Sequence, residues 1–175
     1  IAKNSDELKG ATKIILPGVG SFDWAMHKIN SSGMREKLDE LVLEKKVPVL
    51  GICVGMQIMA KSSEEGKEKG LQWINAEVLK FKQDANRTPA LPHMGWNKIK
   101  IKESKIFRDI SDPKFYFLHS YYIKPIDNNI SIAIAKYKEE FTCSIKSSSN
   151  IYGVQFHPEK SHRWGKQLIK NFALL

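Results

Sequence analysis

The feature that most constrains the fold is a pair of short apolar runs, each of which ends in a glycine-containing turn. Residues 13–16 lead into Pro17-Gly18-Val19-Gly20, and residues 48–52 lead into Cys53-Val54-Gly55. Short runs bounded by glycine are typical of buried strands. An amphipathic pattern over residues 34–46 predicts a helix between them. Further helices are predicted after each glycine turn, so the order strand, helix, strand, helix indicates an α/β fold with a central, mostly parallel sheet.

The second half of the chain alternates apolar and polar residues, which is typical of half-exposed antiparallel strands. The alternation predicts strands over residues 77–82 and 98–102, and further strands are predicted over residues 115–118, 130–137, 141–146 and 151–156. A closing helix is predicted from residue 160 onward, with Trp164, Leu168, Ile169 and Phe172 on its inner face. We expect both halves to pack as a single domain over residues 1–175.

Composition excludes several classes of protein. A chain of 175 residues with 42% apolar residues can bury a core without disulfides. Its two cysteines exclude a disulfide scaffold and predict a reducing compartment, the cytoplasm. No apolar run approaches the roughly 18–20 residues of a membrane span, so no membrane partner is expected. The net charge of +9 keeps a nucleic-acid-binding module as an alternative. This alternative rests on Lys98, Lys100, Lys102 and Lys105 and on the basic residues within 160–170, without a known binding motif.

The strongest chemical signal is Gly51-Ile52-Cys53-Val54-Gly55, between a predicted strand and a predicted helix. A sharp strand-to-helix turn flanked by glycines is the arrangement that exposes a nucleophile. Because N–H groups at a helix start favour a thiolate, we expect a lowered pKa for the Cys53 thiol. The Val54 N–H would face a developing oxyanion. The alternative is that Cys53 is a small buried apolar residue.

A second signal is His157-Pro158-Glu159, since an activated thiol needs a base and the base needs an orienting partner. The alternative is an ordinary surface turn. A metal site built from His157, Glu159 and His162 lacks the H-E-x-x-H spacing, so we expect no metal and no cofactor. A third, weaker signal is Pro17-Gly18-Val19-Gly20, which is either a simple turn or a source of N–H groups for an oxyanion.

In chain order, five motifs resemble those of the class I, or triad, glutamine amidotransferases, and within them the glutaminase subunit of imidazole glycerol phosphate synthase. The motifs are Leu16-Pro17-Gly18-Val19-Gly20-Ser21-Phe22, Gly51-Ile52-Cys53-Val54-Gly55-Met56-Gln57, Pro92-His93-Met94-Gly95-Trp96-Asn97, His119-Ser120-Tyr121-Tyr122 and Phe156-His157-Pro158-Glu159-Lys160-Ser161. The resemblance runs from about residue 12 to the C-terminus. It implies a flavodoxin-like fold with helices on both faces of the sheet and an additional antiparallel portion.

The resemblance implies hydrolysis of L-glutamine to glutamate and ammonia through a cysteinyl thioester. It assigns the nucleophile to Cys53, the general base and acid to His157, and the orientation of that base to Glu159. The remaining implied contacts are an oxyanion hole at Gly18, Val19 and Val54, and substrate contacts at Gln57, Ser120 and Tyr121.

The resemblance also implies a heterodimer with a cyclase (β/α)8-barrel subunit, which receives the ammonia. The implied interface contains Met94, Trp96 and Lys160, with Tyr116 or Tyr122 near the gate. Trp96 between Gly95 and Asn97 indicates an exposed loop, and exposed Trp commonly marks an interface. Other residues receive structural interpretations: Trp24, Trp73 and Trp164 as core, His93 and His119 as structural, and Cys143 as a spectator.

Two departures from that family matter. The family begins with a strand, a glycine-rich turn and a helix of about 25–30 residues, so we expect a longer natural protein of which this domain lacks the N-terminal β–loop–α unit. Residues 70–74 and 160–165 resemble paralogues that supply ammonia for amidination of a surface sugar, with the same glutaminase chemistry. A cysteine peptidase of similar fold is a further alternative, and Gln57 with Met94-Gly95-Trp96-Asn97 argues against it.

Overall fold

Strands and helices alternate along this computed structural model, which describes residues 1–82, 90–102 and 104–175. The strands are β1 (Ile14–Gly18), β2 (Val49–Cys53), β3 (Ser62–Ser63), β4 (Ala76–Lys80), β5 (His93–Ile101), β6 (Lys114–His119), β7 (Tyr121–Pro125), β8 (Ser131–Lys136), β9 (Glu140–Ser147) and β10 (Ile151–Val154). The helices are α1 (Phe22–Ser31), α2 (Arg35–Asp39), α3 (Val54–Gln57) and α4 (His162–Ala173), and α2 continues as a π-helical turn over Glu40–Glu44.

The strands form one mixed sheet whose main path is β1-β2-β10-β9-β7-β4-β3. β1, β2 and β10 are parallel neighbours, and β5, β6 and β8 pair in antiparallel fashion. The predicted α/β fold, with a parallel part and an antiparallel portion, is confirmed. Among the described strands, antiparallel pairs outnumber parallel ones, because the alternating strands of the second half join the same sheet.

The centre of the sheet is covered on both faces. β2 and β10 are buried at every residue, as expected for strands between two layers of helix and loop. α1 turns Phe22, Met26 and Ile29 inward at helical spacing, after Ser21 accepts a hydrogen bond from the N–H of Trp24. The closing helix α4 buries Leu168 and Phe172 as predicted. β2 and β10 are thus held as neighbouring strands between these layers, and the positions of the residues that follow the two strands are fixed as well.

The prediction that Trp24, Trp73 and Trp164 all pack in the core is wrong for Trp24. Its side chain is 53% exposed, because α1 turns other residues inward and leaves Trp24 beside Lys28 on the outer surface. Trp73 is buried and donates a hydrogen bond to Asp39 at 2.6 Å. Trp164 is half-buried and donates one to the carbonyl of Ser111 at 3.0 Å. Packing therefore accounts for two of the three tryptophans.

Two strands were not predicted. β7 follows β6 after the single residue Ser120, and β3 is only two residues long inside a polar run. No described helix is long and apolar enough to cross a membrane.

Candidate active site

Three parallel strands end at the same edge of the sheet, and the predicted site residues are attached there. Gly18, the last residue of β1, lies beside Cys53, the last residue of β2. His157 follows β10 and donates its backbone N–H to the carbonyl of Tyr116 in β6 at 2.8 Å. Residues that are far apart in sequence therefore meet at the carboxyl ends of adjacent strands, where open α/β sheets commonly bind ligands.

Cys53 occupies a strained turn between β2 and α3. Its φ of +53° lies in the left-handed region, which costs energy for a residue other than glycine. Two glycines allow β1 to pack directly against this turn. A Cβ at Gly55 would overlap the carbonyl of Leu16, and a Cβ at Gly18 would overlap the backbone nitrogen of Gly55. The glycine pattern in the sequence thus reflects close packing of two backbones around the thiol.

The thiol of Cys53 is buried, and its pKa is raised, whereas the sequence predicted a lowered pKa. Its Sγ lies 3.9 Å from the carbonyl of Leu118 and accepts a hydrogen bond from Nε2 of Gln155 at 3.7 Å. Burial raises the pKa of Cys53 to about 11, and the N–H of Val54 and the amide of Gln155 oppose this only in part. The expected lowering is wrong because α3 is a single short turn, whose N–H groups do not outweigh the loss of water.

His157 is held in one orientation by two contacts. Its Nδ1 lies 2.7 Å from Oε1 of Glu159, and its carbonyl accepts a hydrogen bond from the Ser161 hydroxyl at 2.6 Å. Because a carboxylate only accepts, Nδ1 of His157 carries the hydrogen and Nε2 is the basic nitrogen. The ring is buried whereas the Glu159 side chain is 56% exposed. A buried base with a solvated carboxylate behind it suits proton transfer.

A cavity of about 180 Å³ collects most of the predicted residues. Its walls are formed by Val19, Gly20, Cys53, Val54, Gln57, Glu65, Leu118, His119, Ser120, Tyr121 and His157. Two predicted residues lie just behind this wall. Glu159 contacts His157, and Gly18 packs against the Val54–Gly55 backbone.

Gln57 lines this cavity, and its side-chain amide oxygen is the group that remains available to a ligand. Its Nε2 donates to the carbonyl of Tyr121 and to Oε1 of Gln155, both at 3.0 Å. Both amide hydrogens are therefore used within the protein, and the amide oxygen is the group that Gln57 can offer a ligand.

Glu65 is a wall residue that the sequence did not reveal. It lies in a polar run that indicates only a loop, and no local pattern singles it out. In the structure Oε2 of Glu65 accepts the backbone N–H of Phe22, the first residue of α1, at 2.8 Å. Asp23 in turn accepts the N–H groups of Lys67 and Glu68, and these bonds lower its pKa. The loop is thus fastened to α1, and Glu65 brings a negative charge to the cavity.

An exposed apolar surface adjoins the cavity, and we call it the β5–β6 patch: Met94, Trp96, Tyr116, Leu118 and Lys160. Met94 lies opposite Leu118 and Trp96 opposite Tyr116 in the β5–β6 register. Met94 is 64% and Trp96 45% exposed, and Nζ of Lys160 lies 5.6 Å from the Tyr116 ring. The exposure expected for Trp96 is confirmed, but it lies on a strand and not in a loop.

Two further predictions concern residues beside this patch. Tyr122 is not part of it, because its ring packs on Phe81 at 4.6 Å. His162 stacks on Trp96 at 5.4 Å.

Among the described residues, no group of His, Cys, Asp and Glu is arranged to hold a metal ion.

Comparison with known proteins decides the family. The family model for class I glutamine amidotransferases matches residues 1–175. The chain belongs to the class I glutamine amidotransferases. It is 52% identical to imidazole glycerol phosphate synthase subunit HisH of Leptospira borgpetersenii, over 100% of this chain and 87% of that protein. It is also 52% identical to the subunit of the same name from Bdellovibrio bacteriovorus, over 99% of this chain and 86% of that protein.

Solved structures agree on the fold of this amidotransferase. A crystal structure of a glutamine amidotransferase matches with a TM-score of 0.73 at 14% identity, over 98% of this chain and 85% of that one. At that identity the likeness supports the fold alone. The family predicted from the five motifs is confirmed.

Proposed function

We propose that this amidotransferase is the glutaminase subunit of an imidazole glycerol phosphate synthase, which hydrolyses L-glutamine and passes the ammonia to a cyclase subunit for histidine biosynthesis. The observation that carries the proposal is Cys53 in a strained turn, sharing one cavity with the buried base His157. The relatives of this chain at 52% identity bear the name of that synthase subunit. The cytoplasm is the proposed compartment, and both cysteines are unpaired.

The chemistry begins with proton transfer. Nε2 of His157 removes the proton from Sγ of Cys53, and the thiolate attacks the side-chain amide carbon of glutamine. When the tetrahedral intermediate collapses, His157 returns the proton to the departing nitrogen, so ammonia leaves and a glutamyl thioester remains. Water, activated by the same base, then attacks the thioester and releases glutamate and the thiol. Glu159 holds the Nδ1–H of His157 throughout.

The negative charge on the tetrahedral intermediate needs donors in the cavity wall. The N–H of Val54 is the proposed first donor, since it begins the turn after Cys53 and acts to lower the pKa of the thiol. The Gly18–Val19 peptide is the proposed second donor, since Gly18 packs against the Val54–Gly55 backbone and Val19 lines the cavity.

The two charged ends of glutamine need opposite partners. Glu65 supplies the negative charge suited to the α-ammonium group, and it faces the same cavity as the thiol. Ser120 and Tyr121, also in the wall, supply a hydroxyl and backbone groups for the rest of the amino-acid end. The amide oxygen of Gln57 is a further acceptor. A cavity of about 180 Å³ suits a ligand as small as an amino acid.

The β5–β6 patch is the proposed docking surface for the barrel subunit. Exposed Trp and Tyr anchors of this kind dominate the binding energy of protein interfaces. Leu118 belongs to both the patch and the cavity wall, so a partner seated there would cover the path by which ammonia leaves. Lys160 favours an acidic group on the partner. The nucleic-acid alternative is weaker, since Lys98, one of the lysines on which it rests, is paired with Asp112 at 2.9 Å.

The test is glutamine hydrolysis by the full-length protein, alone and with a purified cyclase subunit and its ligand. We expect low activity alone, stimulation by the partner, and ammonia transfer into the imidazole precursor. Cys53→Ala should abolish hydrolysis, whereas Cys143→Ala, at the other buried cysteine, should retain it. Activity in Cys53→Ala would reject the nucleophile. Transfer of ammonia to a nucleotide sugar instead would reject the synthase and favour the sugar-amidating paralogue.

A further inference from the structure

Two buried histidines, one of which lines the cavity, take no part in the reaction described above. His93 begins β5 and His119 ends β6, where they are direct register partners. Their side chains are buried, and Nδ1 of His93 lies 3.0 Å from Nε2 of His119. Packing alone does not require a hydrogen-bonded pair of imidazoles, because buried polar groups cost energy unless they are satisfied.

Neighbouring carbonyls fix the hydrogens on both rings. Nδ1 of His119 lies 2.8 Å from the carbonyl oxygen of Tyr121, which only accepts, so this nitrogen carries the hydrogen. Burial lowers the pKa of His119 to about 3 and that of His93 to about 4, so both rings are neutral near pH 7. Nε2 of His119 is then an acceptor, and Nδ1 of His93 must donate to it.

The far end of the pair is fixed in the same way. Nδ2 of Asn97 donates to the carbonyl of Lys136 at 2.9 Å, which identifies that atom as the amide nitrogen. The same nitrogen lies 3.3 Å from Nε2 of His93, which accepts from it. Every hydrogen-bonding atom of the two imidazoles is therefore used.

The chain of hydrogen bonds continues from Tyr121 to the thiol. Its carbonyl oxygen accepts a second bond, from Nε2 of Gln57 at 3.0 Å. Gln57 also donates to Oε1 of Gln155, so Nε2 of Gln155 is the atom that faces Sγ of Cys53 at 3.7 Å. The carbonyl of Tyr121 is thus the junction between the histidine pair and the nucleophile, and it lies in the segment proposed to hold the substrate.

We propose that His119 is a positioning residue for glutamine hydrolysis: its Nδ1–H fixes the carbonyl of Tyr121 and, through Gln57 and Gln155, the Cys53 thiol, while His93 keeps the hydrogen of His119 on Nδ1. This inference rests on the proposed function, which supplies the reaction. Without the N–H of His119, the Tyr121 carbonyl keeps one of its two donors and gains freedom to turn. The amide of Gln57 then loses a fixed acceptor. As a result, the positions of the substrate-binding segment and of the Cys53 thiol are no longer fixed relative to each other.

An isosteric pair of variants separates hydrogen bonding from packing. His119→Asn keeps an N–H close to the position of Nδ1, whereas His119→Leu has nearly the same shape without the donor. We expect kcat/KM for glutamine to fall about tenfold or more in the Leu variant, and to stay within about threefold of wild type in the Asn variant, as for loss of one buried hydrogen bond. Most of the loss should appear in kcat, because the thiol is misaligned.

Phe141→Leu is the packing control. This ring is buried, lies 5.3 Å from that of His119, and belongs to no step of the hydrogen-bond chain. We expect it to lower the melting temperature and leave kcat/KM unchanged. Equal losses in the Asn and Leu variants, or an equal loss in Phe141→Leu, would overturn the positioning role.

Two readouts need no glutamine and therefore judge the histidine pair separately from the proposed function. Nitrogen NMR of the imidazole rings should find the hydrogen on Nδ1 in both His93 and His119, and an Nε2–H on either ring would overturn the assignment. The alkylation rate of Cys53 should change by about threefold or more in His119→Leu and not in His119→Asn. If the wild-type protein does not hydrolyse glutamine but both of these results are obtained, the proposed function is rejected. The hydrogen-bond chain from the histidine pair to the Cys53 thiol is then still supported.

Discussion

The Cys53 thiol should react slowly in the free protein, although it is the proposed nucleophile. Burial, together with the negative charges of Glu159 and Glu65, raises its pKa to about 11. The thiolate is the reactive form. At about pH 7.5, an ordinary thiol of pKa about 8.5 is about one-tenth thiolate, whereas a pKa of about 11 leaves about three parts in 10,000. We therefore expect alkylation of Cys53 to be roughly 300-fold slower than that of a free cysteine.

The measurement is the rate of iodoacetamide labelling between about pH 6 and 11, followed by mass spectrometry of the Cys53 peptide. Cys143 is an internal control, because it is fully buried and burial raises its pKa even further. The rate at Cys53 should climb about tenfold for each pH unit across the neutral range without levelling off. Unfolded protein should label at both cysteines at the ordinary rate.

A levelling of the rate below about pH 9 would refute this reasoning. It would mean that the N–H groups of Val54 and the following turn outweigh burial, as the sequence had suggested. The slow reaction expected here also explains why the proton must move to His157 during catalysis: a thiol that is neutral at rest becomes a nucleophile only when a base accepts its proton.

Three further perturbations test other parts of the structure. Gly55→Ala places a Cβ against the carbonyl of Leu16, so we expect a large drop in melting temperature or no folded protein. Trp96→Ala should weaken binding of the cyclase subunit about tenfold or more in calorimetry, with the melting temperature unchanged. Because the pKa values of His93 and His119 are lowered to about 4 and about 3, unfolding releases imidazoles that take up protons below about pH 6.5. Stability in urea should be constant above that pH and fall as the pH drops toward 4, and a flat profile would contradict the buried neutral pair.

The parallel part of the fold could be predicted because its strands are short, apolar and followed by glycine. β1 and β2 lie within one or two residues of the predicted runs, and the turn at Cys53 lies where the glycines indicated it. The pairing of β2 with β10 could not be predicted from local pattern, since these neighbours are distant in the chain. The resemblance of the motifs to those of the amidotransferases was the only indication that the residues after these two strands lie together.

Other features escaped prediction for physical reasons. β7 follows β6 after Ser120 alone, without glycine or proline, so no turn signal separates the two strands. Glu65 gains its place from a hydrogen bond to the start of α1, which is a contact between distant segments. The pKa of Cys53 depends on how much water the folded chain excludes, and a five-residue pattern carries no information about that. Local pattern thus located the nucleophile but not its electrostatic state.

Strand β5 connects the partner surface to the nucleophile, because its residues alternate between two faces. Met94 and Trp96 are exposed on one face, whereas His93 and Asn97 lie on the other face and form the start of the hydrogen-bond chain. A partner that contacts Met94 and Trp96 therefore contacts the strand that carries His93, the first member of the histidine pair. We expect His119→Leu to bind the cyclase subunit with wild-type affinity in calorimetry, yet to lose most of the stimulation of glutamine hydrolysis. Full stimulation in that variant would mean that the partner acts on Cys53 by another route, such as directly through Leu118 at the cavity wall.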